Sequence, residues 1–134
     1  MGRRERVRVL LDSHTLIWAA LSRASLSRTA ADIIADPSNA VLVSAASAWE
    51  IATKVRLGKF PGAEAFERRF LNAINEAGYT LLAIEAETAL RAGRLVGDHG
   101  DPFDRIIAAQ ALALDIPVLS IDTKLDLFGV RRIW

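Results

Sequence analysis

Short, predominantly apolar segments alternate with longer segments of helical periodicity along this 134-residue chain. Residues 7–11 and 117–121 are two such segments, apolar except for Arg8 and Ser120. Strands that are apolar at every position are typical of a parallel sheet covered on both faces, whereas antiparallel strands usually alternate apolar and polar residues. The pattern therefore predicts an α/β fold, a doubly wound parallel sheet of four to five strands with helices on both faces.

Apolar periodicity, capping residues and helix breakers set the predicted boundaries. Strands are predicted at residues 7–11, 40–43, 80–84, 117–121 and, from a weaker pattern, 130–133. Helices are predicted at residues 16–21, 27–36, 44–55, 63–77, 86–93 and 102–114. Asp101 and Pro102 suit the N-cap and first position of the last helix, so residues 97–101 are expected to form a loop.

Composition narrows the class of protein. With 51% hydrophobic and 25% charged residues, the chain is expected to fold as one globular domain over residues 1–134. The longest uncharged stretch, residues 37–49, is too short to span a bilayer, and no apolar signal segment is present at the start. We therefore expect a soluble cytoplasmic protein with no membrane partner.

The charged and sulfur-containing residues limit the available chemistry. The chain has no cysteine, which excludes disulfides and thiolate metal sites, so a metal would need oxygen or histidine ligands. A net charge of +1 gives no overall field that attracts a polyanion, so any contact with nucleic acid must be local.

Four acidic residues are predicted to meet at one edge of the sheet. Asp12 ends the first strand, Glu50 lies early in the helix after the second strand, and Asp122 ends the fourth strand. Asp104 lies in the first turn of the helix that Pro102 opens. In a right-handed βα unit, the carboxyl end of each strand and the first turn of the next helix share one edge, which is where α/β sheets bind ligands.

Four converging carboxylates need compensation. At about 6 Å and an effective dielectric of 20, each pair repels by about 3 kcal/mol, and six pairs reach about 17 kcal/mol. That sum is comparable to the whole stability of a domain, about 5 to 15 kcal/mol. A divalent cation, protonation or greater separation could relieve it. Mg²⁺ or Mn²⁺ bound by carboxylates commonly bridges to phosphates, so the pattern points to phosphodiester hydrolysis.

Neighbouring residues extend the predicted site. Ser13 could position water or phosphate, or cap the following helix, and Lys54 and Arg105 could bind phosphate. Structural roles remain open for Lys54, as a surface partner of Glu50 at i+4, and for Arg105, in an ion pair. Contributions of His14 and His99 are also left open.

The acidic residues have structural alternatives too. Residues 47–50 fit a capping box in which Glu50 only satisfies a backbone N–H. Asp101 suits a helix cap, and Asp104 could simply favour the positive end of a helix dipole. Asp12 and Asp122 could be ordinary turn residues at strand ends.

With these residues in view, the chain resembles the PIN-domain ribonucleases, and more closely the VapC-type toxins of bacterial type II toxin–antitoxin pairs. Residues 10–18, 44–54 and 101–111 carry the resemblance, and residues 119–122 supply the last acid. Residues 1–5 overhang the usual start of the family. Ser13 stands where threonine is more usual, and Gly100 stands where a basic residue often precedes the Asp-Pro-Phe-Asp segment.

The resemblance implies a function and its components. It implies that Asp12, Glu50, Asp104 and Asp122 form a Mg²⁺ or Mn²⁺ site in a metal-dependent RNA endonuclease. It further implies a homodimer, an RNA substrate such as tRNA or ribosomal RNA, and an antitoxin whose C-terminal segment covers the active-site groove.

Two other classes of protein remain as alternatives. One is a phosphoacceptor signalling domain of flavodoxin-like topology, which also gathers acids at strand ends and would place Lys124 within reach. Its first strand would usually end in a pair of acids, and here Asp12 stands alone. The other alternative is a catalytically silent binding module with the same fold.

Overall fold

The computed structural model describes residues 6–134, so the predicted overhang at residues 1–5 lies outside it. The strands are β1 (Arg8–Leu11), β2 (Ala40–Ser44), β3 (Thr80–Leu82), β4 (Val118–Leu119) and β5 (Arg132–Ile133). The helices are α1 (Ser13–Leu21), α2 (Arg28–Ala35), α3 (Ala45–Arg56), α4 (Glu64–Arg68), α5 (Phe70–Glu76), α6 (Ala86–Arg94) and α7 (Pro102–Leu114). Two 3₁₀ segments, Arg23–Ser25 and Thr123–Phe128, complete this part of the chain.

The five strands form one parallel sheet in the order β3-β2-β1-β4-β5. β1 lies at its centre, with Leu10 opposite Leu42 of β2 and Val118 of β4. Since both faces of a central strand are covered, the side chains of residues 9–11 are fully buried. The predicted parallel α/β sheet is confirmed, including the weak fifth strand.

Helices pack on both faces of the sheet, as predicted. Val9 and Leu11 face one core, to which α1, α2 and α5 contribute apolar side chains. Leu10 points the opposite way, into a second core that contains Ile107 and Ala111 of α7. This alternation within the apolar residues 9–11 follows from the two-residue period of strand side chains.

The strand order separates this fold from flavodoxin-like topology. A flavodoxin-like sheet has the order 2-1-3-4-5, which places the first strand between the second and third. Here β1 lies between β2 and β4. The topology required by the signalling-domain alternative is therefore absent from the sheet.

One predicted helix is divided. The helix predicted at residues 63–77 is observed as α4 and α5, with Arg69 between them at φ −106° and ψ 21°. Phe66, Phe70 and Ile74 follow each other at intervals of four on both sides of the break, and the rings of Phe66 and Phe70 are in contact at 5.8 Å. Because the break leaves this apolar spacing unchanged, the sequence pattern does not reveal it.

The remaining differences concern ends of elements. β2 extends to Ser44, which was predicted to begin the following helix, and β4 is shorter than predicted. Within residues 6–134, every helix is too short or too polar to cross a membrane.

Thr15 joins α1 to the sheet next to the carboxyl end of β1. Its buried hydroxyl donates a hydrogen bond of 2.8 Å to the carbonyl of Leu119 in β4. The two residues are 104 positions apart in the chain. This bond fixes the first turn of α1 to the carboxyl end of β4.

We expect Thr15→Val to destabilise the protein by about 1 to 3 kcal/mol, because the buried carbonyl of Leu119 loses a donor while side-chain volume is kept. Urea unfolding measures the change. Thr29→Val, at an exposed position of α2, is the matched control and should stay within about 0.5 kcal/mol of the wild type. Equal effects of the two substitutions would contradict a special role for this bond.

Candidate metal centre

The site lies where the order of strands reverses. Chain connections leave β1 toward β2 on one side and reach β4 on the other, so the carboxyl ends of β1 and β4 border a crevice. Such a switch point is the usual ligand site of an open α/β sheet. The first residue after β1 is Asp12, and the first residue after β4 is Ser120.

Asp12 is held by bonds to both of its carboxylate oxygens. As the N-cap of α1, its Oδ1 accepts a hydrogen bond from the backbone N–H of Thr15 at 2.9 Å. Its Oδ2 accepts a short hydrogen bond from the Ser120 hydroxyl. Asp12 is 5% exposed, so these donors compensate for lost water. The predicted alternative of Ser13 as the cap is wrong, since Asp12 occupies that position.

Glu50 lies in the second turn of α3 and is buried. The N-cap of this helix is Ser44, whose hydroxyl accepts a bond from the N–H of Ala46. The capping-box interpretation of residues 47–50 is therefore wrong, because the helix begins three residues earlier. Glu50 instead forms a close ion pair with Lys54.

Asp104 lies in the first turn of α7, where Asp101 is the N-cap. The carboxylate of Asp101 accepts a bond of 3.0 Å from the N–H of Asp104, which confirms the predicted cap. The carboxylate of Asp104 itself is within 2.6 Å of His99 Nε2. The pKa of Asp104 is raised to about 6, mainly because the carboxyl is buried. The hydrogen bond from His99 lowers this pKa, and the charges of Asp101, Glu50 and Asp12 raise it.

Asp122 completes the set of acids. It caps the 3₁₀ segment after β4, with Oδ1 accepting from the N–H of Lys124 at 3.0 Å. Its own N–H donates to the hydroxyl of Ser120, the residue that also holds Asp12. One potential ligand atom from each of His99, Asp104 and Asp122 lies within 4.8 Å of the others.

All four predicted acids line a single cleft of about 470 Å³. Ser13 and Lys54, also predicted for the site, line it as well, together with His14, Trp18, His99, Asp101, Ile121 and Lys124. Ser13 is buried and its hydroxyl donates to Ser47 at 3.0 Å. Lys54 adopts the predicted structural alternative, the pair with Glu50, while remaining at the cleft.

The structure does not bring Arg105 to this cleft. Its guanidinium donates to the backbone carbonyls of Ala92, His99 and Leu95 and lies 5.2 Å from the ring of Phe128. Arg105 therefore has a structural role, as the alternative prediction stated. Its partners are backbone carbonyl oxygens, whereas that prediction expected an ion pair. Arg105 anchors the loop that carries His99.

The donor set fits a divalent cation. The cleft brings together carboxylates, whose oxygen atoms suit Mg²⁺ or Mn²⁺, and the imidazole of His99 lies within reach of Asp104 and Asp122. The raised pKa of Asp104 reflects first its burial and then the neighbouring acids. Lys54 pairs with Glu50 and His99 bonds to Asp104, and both contacts offset part of the negative charge.

Sequence reasoning misses Ser120. It names His99 but leaves its contribution open, because no histidine stands four residues from His99 on a helix. Its place five residues before Asp104, in the loop before α7, was the available signal. Ser120 bonds to Asp12 across 108 positions, and nothing in the local sequence indicates that contact.

Comparison with known proteins agrees with this geometry. The family model described as PIN domain matches residues 9–130. The chain belongs to the PIN domain family. The resemblance to PIN-domain proteins is thus confirmed over nearly the whole chain.

One curated relative matches part of the chain. The chain is 42% identical to Ribonuclease VapC16 of Mycobacterium tuberculosis over 60 residues, which are 44% of this chain and 43% of that protein. The match therefore spans less than half of either protein.

Two solved PIN structures share the fold. VapBC2 from Rickettsia felis, bound to a DNA fragment from its promoter, superposes with a TM-score of 0.65 at 13% identity, over 95% of this chain and 98% of that one. FitAB bound to the IR36 DNA fragment gives a TM-score of 0.64 at 17% identity, over 93% of both chains.

The raised pKa of Asp104 predicts how metal-free stability depends on pH. Because the folded pKa of about 6 exceeds the ordinary value of 3.8, this carboxyl favours folding below pH 3.8, and the contribution is lost as pH rises through 6. Asp104→Asn should therefore raise the free energy of unfolding at pH 7.5 by about 1 to 3 kcal/mol relative to wild type. The difference should vanish near pH 4.

Chemical denaturation across this pH range, with and without Mn²⁺, measures both effects. Mn²⁺ should stabilise the wild type more at pH 7.5 than at pH 5, since protons compete for the carboxylates. It should stabilise Asp104→Asn much less. A variant that is less stable than wild type at every pH would contradict the raised pKa of Asp104.

Proposed function

We propose that this PIN domain is a metal-dependent RNA endonuclease that acts as the toxin of a toxin–antitoxin pair. The observation that carries the proposal is the convergence of acids from four separate segments in one cleft at the switch point. The relative named Ribonuclease VapC16 supports the choice of RNA as substrate. The acids are Asp12, Glu50, Asp104 and Asp122.

These four carboxylates would hold Mg²⁺ or Mn²⁺, with His99 beside them. When bound, the cation would lower the pKa of a water molecule and neutralise charge on the phosphodiester. The residues of the chain provide orientation. Ser120 and the N–H of Thr15 fix both oxygens of Asp12, so that this carboxylate enters the site in one position.

Ser13 and Lys54 are proposed to act on the substrate. The Ser13 hydroxyl, next to Asp12, can turn from Ser47 to donate to water or to a phosphate oxygen. In the structure Lys54 forms an ion pair with Glu50, and a divalent metal ion at Glu50 would compete with Lys54 for this carboxylate. The ammonium group would then be available to a phosphate at the cleft, with Lys124 as a second cation on its border.

The partners follow the same family resemblance. We propose a cognate antitoxin as the protein partner, tRNA or ribosomal RNA as the substrate, and the cytoplasm as the location. The fold that this chain shares with the VapBC2 and FitAB structures supports the proposal of an antitoxin partner. A silent binding module would keep the fold without the cleavage.

Cleavage of RNA tests the activity. With Mg²⁺ or Mn²⁺, the wild-type protein should cut total RNA into discrete fragments, and EDTA should stop the reaction. Asp12→Asn and Glu50→Gln keep the size and shape of the side chain but remove its charge, and each should lower the rate at least about a hundredfold. Gel analysis of end-labelled RNA measures the rates.

Asp32→Asn is the matched control, since Asp32 is an exposed acid of α2 that pairs only loosely with Arg28 at 3.8 Å. It should cleave at the wild-type rate. Metal-independent cleavage, or full activity of Glu50→Gln, would refute the proposed metal site. A folded wild type that cuts no RNA would favour the silent binding module.

We further propose that the protein forms a homodimer through the exposed ring of Trp49 and the half-buried ring of Phe103 beside it. Trp49 is 56% exposed, and the two rings meet edge to face at 4.6 Å. Exposed aromatic groups of this kind are enriched at protein interfaces. The pair lies one residue from Glu50 and from Asp104, so a dimer would bring two sites near each other.

Trp49→Arg should convert the dimer to a monomer, because a charge would be buried in the contact. Sedimentation equilibrium measures the mass. Leu71→Arg, at a position of α5 that is 67% exposed, is the control and should remain dimeric. A dimeric Trp49→Arg variant would exclude this face, and a monomeric wild type would exclude the homodimer.

A further inference from the structure

Aromatic rings stand beside the acids on the α1 side of the cleft. His14 and Trp18 both line it, and their spacing of four residues places them on one side of α1. Their ring centroids are 5.8 Å apart, and the ring of Phe60 meets His14 edge to face at 5.4 Å. Trp134 contacts Trp18 from behind at 5.8 Å.

His14 is the outermost ring of this aromatic group. It is exposed, whereas Trp18, Phe60 and Trp134 are half-buried. Within residues 6–134, its imidazole takes part in ring contacts but in no hydrogen bond or ion pair. The other imidazole of the cleft, His99, is in contrast bound to Asp104. His14 therefore presents a planar surface whose orientation is set by packing.

The charges around the cleft show what such a surface can bind. The acids and their cation would engage the phosphate of RNA, and Lys54 lies near this side, 5.4 Å from the centre of the Phe60 ring. The bases of the substrate need an uncharged partner, and unpaired bases stack on aromatic side chains, including histidine. Trp49 is less suitable because it lies outside the cleft lining and already meets Phe103.

We propose that His14, supported by Trp18 and Phe60, stacks against an unpaired nucleobase next to the scissile phosphate and determines which base is preferred there. This assignment rests on the proposed ribonuclease function. It makes His14 a specificity-determining residue, and it places recognition of the base on the first turn of α1, one residue from Ser13.

Three substitutions separate stacking from other roles. His14→Ala removes the ring, His14→Phe keeps a planar ring without nitrogen, and His14→Leu keeps apolar volume without a planar face. KM and kcat are measured on RNA oligonucleotides that differ in the base flanking the cut. Dissociation constants for the same oligonucleotides are measured by fluorescence anisotropy in the Asp12→Asn background with Mg²⁺.

We expect His14→Ala to raise KM and Kd about tenfold and to reduce the preference between bases. His14→Phe should restore both, and His14→Leu should not. Because His14 is exposed, all three variants should unfold at the same denaturant concentration as the wild type.

Other outcomes overturn the assignment. Unchanged KM, Kd and base preference in His14→Ala would exclude stacking. Equal rescue by His14→Leu would show that only the apolar volume of the side chain matters, and would also exclude stacking. Loss of kcat in His14→Phe at constant KM would indicate proton transfer instead. If the wild type cleaves no RNA, the proposed function fails. The ratio of Kd between His14→Ala and the protein with His14 intact then still tests whether His14 stacks on a base. Absence of RNA binding would overturn both.

Discussion

The carboxylates gathered at one edge of the sheet carry an electrostatic cost that the rest of the site has to offset. Like charges near each other repel more strongly as water is removed, and Asp12 and Glu50 are almost fully buried. The chain offsets this cost with several kinds of donor. Asp12, Asp101 and Asp122 accept backbone N–H groups at the starts of helical segments, where the helix dipole also favours negative charge. Asp104 is the acid whose raised pKa shows that the offset is incomplete.

Contacts that span the chain hold the metal centre in one arrangement. Ser120 connects Asp12 to the segment that carries Asp122, and Thr15 ties the same helix to Leu119. Arg105 fixes the loop of His99 through three backbone carbonyls. A binding site gains precision when the supporting residues are themselves locked by hydrogen bonds. Arg105 thus acts as a positioning residue for the loop that carries His99.

Much of this arrangement could be predicted from the sequence, because it follows from local rules. Apolar strands, their order along the chain and the handedness of βα units determine which edge receives Asp12, Glu50, Asp104 and Asp122. The contacts of Ser120, Thr15 and Arg105 could not be predicted in this way. They depend on which distant segment becomes a neighbour, and the residue types involved occur equally in ordinary turns and helices. The division of the helix at Arg69 was hidden for a related reason, since apolar spacing continues across it.

The use of aspartate or glutamate at each position of the site agrees with how far the backbone of that residue lies from the edge of the sheet. Asp12, Asp104 and Asp122 lie at a helix cap or in a first turn, directly at the edge of the sheet. The acid of α3 lies five residues after its start, which is about 7.5 Å along the helix axis. Side chains of a helix point toward its N-terminus, so the carboxylate of Glu50 is directed back to the edge. The additional methylene group of glutamate extends that reach. Glu50 is as buried as Asp12, and Lys54, one turn further along α3, supplies a positive charge to its carboxylate.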